Sequence, residues 1–73
     1  MAKQGKLYEA IGHFSRAVQI NPNFAKAHKN LSQAYWLLGN KSVALREYEI
    51  VKGLDSELAN KLLNWMHGST PNG

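Results

Sequence analysis

Three histidines are the side chains in this sequence that could bind a metal ion or transfer a proton near neutral pH. They are His13, His28 and His67, and the sequence has no cysteine to complete a zinc site. They fall on three different predicted helices, outside any His-Glu-x-x-His motif and without a carboxylate-rich cluster, and no serine lies in a nucleophile motif. We therefore expect structural histidines, a protein that is not an enzyme, and no metal or other cofactor.

A second group of side chains is suited to binding a carboxylate, because lysine supplies positive charge and asparagine and glutamine supply N–H donors. Its members are spaced by three, one, three and three residues, so on a helix they would share one face. The group consists of Lys26, Lys29, Asn30, Gln33 and Trp36. This face predicts a binding site for a protein or peptide partner, with an acidic segment or a C-terminal carboxylate favoured. The alternative is a solvated, mildly basic helix face.

Composition narrows the remaining classes of partner. The chain has 73 residues and a formal net charge of +4, from nine Lys and Arg against five Asp and Glu. The basic residues are dispersed and form no run of like charge, so we do not expect a nucleic-acid-binding arm. No apolar stretch approaches the roughly 18 residues of a membrane-spanning helix, and the first residues do not resemble a signal peptide.

The spacing of apolar residues predicts an all-α fold of four short helices joined by short turns. The first helix is expected over residues 5–20, because Pro22 disfavours helical conformation at the residue before it. Gly39 fits the left-handed position that ends many helices, and Gly68 ends the fourth. The predicted N-caps of the later helices are Asn23, Asn40, and Asp55 or Ser56.

An internal repeat is the most informative feature of the chain. Shifting the sequence by 34 residues aligns glycine with glycine, small residues with small residues, and large apolar residues with each other. The aligned pairs are Gly5 and Gly39, Ala10 and Ala44, Ile11 and Leu45, Phe14 and Tyr48, Ala17 and Val51, Ile20 and Leu54, and Phe24 and Leu58. A 34-residue period with two helices per unit is the spacing of tetratricopeptide repeats.

The motif residues strengthen this resemblance. The complete unit has Leu31 and Tyr35, then Gly39, then Ala44 and Tyr48. This is similar to the tetratricopeptide repeat family over about residues 5–67. His28, Ser32 and Ser56 stand where the family usually has Trp, Gly and Pro.

The resemblance implies a right-handed superhelix of antiparallel helix pairs, in which the A helices line a concave groove that binds protein segments. In this register the first helix is a B helix, the second and third form a complete A–B pair, and the fourth is the next A helix or a capping helix. Some relatives hold a C-terminal carboxylate at positions that match Lys26 and Asn30. Trp36 either contacts the partner in the groove or packs on a neighbouring helix. We expect residues 1–4 and 68–73 to be flexible.

The first helix carries an apolar stripe that its neighbours in a full array would cover. The stripe consists of Leu7, Ile11, Phe14 and Val18. An uncovered apolar stripe indicates an interaction surface, so self-association into a homo-oligomer is expected. The alternative function to partner binding is therefore a structural or homo-oligomerising segment, or a spacer within a longer array.

Overall fold

A computed structural model describes residues 2–68 of the chain, with side chains from residue 5 onward. This span contains four helices and no strand, which confirms the all-α prediction. The helices are α1 (Ala2–Ile20), α2 (Ala25–Leu37), α3 (Lys41–Leu54) and α4 (Ser56–Gly68). They pack as antiparallel pairs, with α2 in contact with all three of the others.

Helix α1 begins at Ala2, earlier than the predicted start at residue 5. Ala, Lys and Gln, which occupy positions 2–4, are strong helix formers, so nothing in this segment interrupts the helix. Residues 2–4 are helical, and their flexibility stays a prediction. Most of the other terminus, residues 69–73, lies outside the described residues, and the domain limits at 5 and 67 stay a prediction.

Three of the predicted helix boundaries are confirmed in atomic detail. Gly39 has φ +87°, the left-handed conformation that glycine adopts at least cost. The Asn40 side chain accepts a hydrogen bond from the backbone N–H of Val43 at 3.3 Å, and Asp55 accepts one from Leu58 at 3.1 Å. Both are N-cap contacts that satisfy an amide without a helical partner.

The N-cap of α2 differs from the prediction. Phe24, not Asn23, occupies the capping position, and no side chain caps this helix. The backbone N–H of Asn23 instead donates to the side chain of Asn21 at 3.2 Å. This local turn moves the helix start one residue further along, where the Phe24 carbonyl accepts the first helical hydrogen bonds.

The core lies between α2, α3 and α4. Its buried members are Trp36, Ala44, Val51, Ala59, Leu62 and Met66. Ser32 is fully buried and its hydroxyl donates to the carbonyl of Ala44 at 2.7 Å, so α2 and α3 approach closely at these two small residues.

Helix α4 begins 31 residues after α2, because Asp55 alone joins α3 to α4 whereas residues 21–24 join α1 to α2. Its buried side chains nevertheless follow the 34-residue repeat, since Leu62 and Met66 align with the buried His28 and Ser32. Trp65, which the repeat aligns with the buried Leu31, is only half-buried. The outer face of α4 consists of the exposed polar residues Glu57, Asn60, Lys61, Asn64 and His67. A polar outer face is typical of the helices that cap repeat arrays.

Candidate functional site

Helix α2 presents the predicted binding residues on one face, which is its most exposed face. Lys26 is exposed, and Lys29, Asn30 and Gln33 are half-buried beside it. The helical spacing places these four side chains along one side of the helix, so their polar ends converge on one strip of surface. The structure therefore brings together four of the five predicted partner-binding residues.

Trp36, the fifth predicted residue, lies at the border of this face and is only 9% exposed. Its indole belongs to the buried cluster that includes Leu62 and Met66 of α4. Of the two interpretations that the sequence left open, packing on a neighbouring helix describes this side chain in the structure.

Two residues at the end of this face were not predicted from the sequence. Leu37 is 47% exposed, and the exposed Lys41 places its Nζ 5.2 Å from the centroid of the Trp36 ring. Leu37 follows Lys26 by eleven residues, close to three helical turns, so the spacing alone could have added it to the face. Lys41 belongs to the next helix, and its position depends on how the turn at Gly39 folds.

The charged residues on and around α2 in the sequence are all basic. No Asp or Glu occurs between Glu9 and Glu47, a segment that contains all of α2. The same segment contains the basic residues Arg16, Lys26, Lys29, Lys41 and Arg46. Within residues 2–68, neither Lys26 nor Lys29 has a carboxylate close enough for an ion pair. The face of α2 is therefore free to attract an anionic partner.

His28 lies on the opposite side of α2 and fixes the helix in place. It is 7% exposed, its Nδ1 is 2.7 Å from a carboxylate oxygen of Glu47 on α3, and its Nε2 is 2.8 Å from the carbonyl oxygen of Pro22. Both neighbours of the ring are oxygen atoms that accept hydrogen bonds, one on α3 and one in the turn before α2. We call these three groups the His28 clamp.

The clamp explains how a polar histidine occupies a buried position where tetratricopeptide repeats usually have a packing tryptophan, because both ring nitrogens have a hydrogen-bond partner. It ties the turn before α2 and the middle of α3 to one side of α2, and this leaves the lysine face on the other side open. His13 and His67 are exposed. Among the described side chains, no three His, Cys, Asp or Glu residues are grouped as a metal site would require.

The predicted association surface on α1 is neither fully buried nor fully exposed. Leu7, Ile11, Phe14 and Val18 are all half-buried. Of the described helices, α1 packs against α2 alone. The most exposed large apolar side chains of α1 are Tyr8 at 64% and Ile20 at 78%.

Comparison with known proteins bears on the family. No curated protein and no solved structure gives a significant match to the chain. Within residues 2–68, no helix has the length and apolar character to cross a membrane. The sequence profile of the TPR repeat matches residues 2–39, just over half of the 73 residues. That match covers α1, the following turn and all of α2, which is the helix with the lysine face. The chain therefore belongs to the TPR repeat family.

Proposed function

We propose that this TPR domain binds an acidic protein segment or C-terminal peptide on the exposed face of α2. TPR repeats are generally protein-interaction modules and typically have no catalytic role, and the charge of this face favours one kind of partner. The observation that supports the proposal most is the absence of any Asp or Glu between Glu9 and Glu47. Two unpaired lysines beside two carboxamides suit carboxylate oxygens, which accept several N–H donors at once.

The residues have separate roles in this proposal. Lys26 and Lys29 attract the partner and bind its carboxylate, while Asn30 and Gln33 hydrogen-bond to its backbone or to a second carboxylate oxygen. Trp36 is 9% exposed, so its contribution to the partner contact is small. Because the lysines are solvated, each ion pair is expected to contribute only about 0.2–1 kcal/mol, so affinity depends on several contacts acting together.

The experiment is a fluorescence-anisotropy titration with a labelled acidic peptide that has a free C-terminus. The double variant Lys26→Gln and Lys29→Gln should weaken binding by about tenfold, which corresponds to roughly 1.4 kcal/mol. The matched control is Arg16→Gln with Arg46→Gln, which removes the same charge from exposed positions on α1 and α3. Equal losses in both double variants would mean that net charge alone attracts the peptide.

Nucleic acid is the competing anionic partner, and salt distinguishes it. Binding to a phosphate backbone falls steeply and linearly with the logarithm of salt concentration. We expect a shallow dependence for the peptide, and no competition from duplex DNA at physiological salt.

The second candidate function is self-association through α1. It is favoured by a comparison between the burial of α1 and that of α3, the equivalent helix of the repeat. Ala44 and Val51 of α3 are 0% exposed, whereas Ala10 and Ala17, their counterparts in the repeat, are only half-buried. Helix α3 packs against two helices and α1 packs against one of the described helices. The apolar surface of α1 is thus less covered than the equivalent surface of α3.

The spacing of the stripe supports a two-fold arrangement of two copies. In an antiparallel pair of α1 helices, Leu7 would face Val18 of the other copy, and Ile11 would face Phe14. This pairing is symmetric, because Leu7 and Ile11 are four residues apart and so are Phe14 and Val18. Glu9 and Arg16 lie on the opposite side of α1 and are exposed, so they do not obstruct the pairing. A closed two-fold contact of this kind gives a dimer and not a filament.

A further inference from the structure

The C-terminal end of the α2 face differs in chemistry from its N-terminal end. At the N-terminal end, Lys26 and Lys29 stand beside the carboxamide of Asn30. At the C-terminal end, Leu37 is 47% exposed and Lys41 approaches Trp36 from the start of α3. One end therefore offers charge and hydrogen-bond donors, and the other offers apolar surface next to a single charge.

The distance between the two ends sets the length of a segment that could occupy both. Lys26 and Leu37 are eleven residues apart on one face, which is roughly 16 Å along a helix that rises about 1.5 Å per residue. An extended peptide rises about 3.3 Å per residue, so about five residues span the same distance.

We propose that Leu37 and Lys41 form a second subsite on this face. It takes an apolar side chain next to a carboxylate, so the preferred partner segment is extended and has two acidic groups about five residues apart. The apolar residue adjoins the acidic group that lies at the C-terminal end of α2. This inference rests on the proposed function and specifies the partner of the same face.

The position of Lys41 supports this role. Its ammonium lies 5.2 Å from the ring centroid of Trp36, a distance typical of a cation–π contact. The ring interacts with the positive charge but accepts no conventional hydrogen bond, so the N–H groups of the ammonium remain able to donate to a carboxylate. Trp36 thus limits where the charge of Lys41 can lie, close to the end of the lysine face.

Leu37 contributes apolar surface that the fold leaves uncovered. It is the only large aliphatic residue on the outward strip that includes Lys26, Asn30 and Gln33, judged over the described residues of α2. A leucine at this level of exposure loses water-accessible area when an apolar partner side chain packs on it, and that burial favours binding.

The test uses the full chain and two labelled peptides of equal length, composition and charge. In the first peptide two glutamates are about five residues apart and a leucine follows the second; in the second peptide the glutamates are adjacent. Lys41→Gln should weaken binding of the first peptide by about threefold, and Leu37→Ala by about fivefold. Neither change should alter binding of the second peptide. Lys41→Arg should retain the affinity of the parent.

Arg46→Gln is the matched control for Lys41→Gln, because it removes one positive charge from an exposed position on the same helix. It should leave binding of both peptides unchanged. The far-ultraviolet circular dichroism and melting temperature of each variant establish that the fold is retained. Since Leu37 and Lys41 are both exposed, we expect little change in either.

The outcomes separate this inference from the proposed function. If Lys41→Gln and Leu37→Ala have no effect while the change of Lys26 and Lys29 weakens both peptides, the second subsite is refuted and the proposed function stands. If none of these variants alters binding, both are refuted. Equal losses for the two peptides in Lys41→Gln would show that its charge acts without regard to spacing, which also refutes the subsite.

Discussion

The His28 clamp should contribute a measurable part of the stability of this small domain. Replacing Glu47 with Ala removes a charge-assisted hydrogen bond of 2.7 Å and leaves a His28 nitrogen without an acceptor. Hydrogen bonds to charged groups contribute about 1.5–3 kcal/mol. The side chains are 8% and 17% exposed, so some screening by water remains, and we expect a loss of about 2 kcal/mol. For a domain of this size that lowers the melting temperature by roughly 8–16 °C.

The assay is urea unfolding followed by circular dichroism, arranged as a double-mutant cycle of Glu47→Ala and His28→Ala. Glu49→Ala is the matched control, because Glu49 is exposed on the same helix and has no ion pair within residues 2–68. The control should change the free energy of unfolding by less than about 0.5 kcal/mol. We expect a coupling energy of about 1–2 kcal/mol between His28 and Glu47. Equal losses for Glu47→Ala and Glu49→Ala, with no coupling, would refute the clamp.

Three further predictions follow from burial and backbone geometry. Leu31 is 3% exposed, so Leu31→Ala should destabilise the fold by about 3 kcal/mol in urea unfolding, and Phe14→Ala, at a half-buried site, should cost less. Gly39→Ala should destabilise the fold by about 1 kcal/mol, because alanine is strained at a φ of +87°. Gly53→Ala should instead stabilise it by about 0.5–1 kcal/mol, because Gly53 lies inside α3 with open space around it. Equal signs for the two glycines would contradict the backbone assignment. Ile11→Glu should abolish concentration-dependent self-association in sedimentation; a parent chain that is monomeric at every concentration would exclude the α1 dimer.

The sequence predicted the elements and the lysine face well, because both follow from local spacing. Apolar residues at helical intervals define the four helices, and Gly39 and Asn40 mark a boundary by their own chemistry. The grouping of Lys26, Lys29, Asn30 and Gln33 requires only that α2 be helical. None of these features depends on how the helices pack.

Features that depend on packing between helices were not predictable. Trp36 is buried in a cluster with residues of α3 and α4, which the spacing within α2 does not include. The partner of His28 is Glu47, which lies 19 residues away on another helix. The place of Lys41 over the indole depends on the turn at Gly39, and no spacing rule within α2 includes it.

The central claim is that the partner lies along the face of α2, and a nuclear magnetic resonance titration tests it most directly. Adding an unlabelled acidic peptide to the isotope-labelled chain should shift the amide signals of Lys26, Lys29, Asn30 and Gln33 with a common dissociation constant. Signals from the polar outer face of α4, such as Asn60 and Asn64, should stay in place. Shifts confined to α4 or α1, or no saturable shift on α2, would contradict the claim.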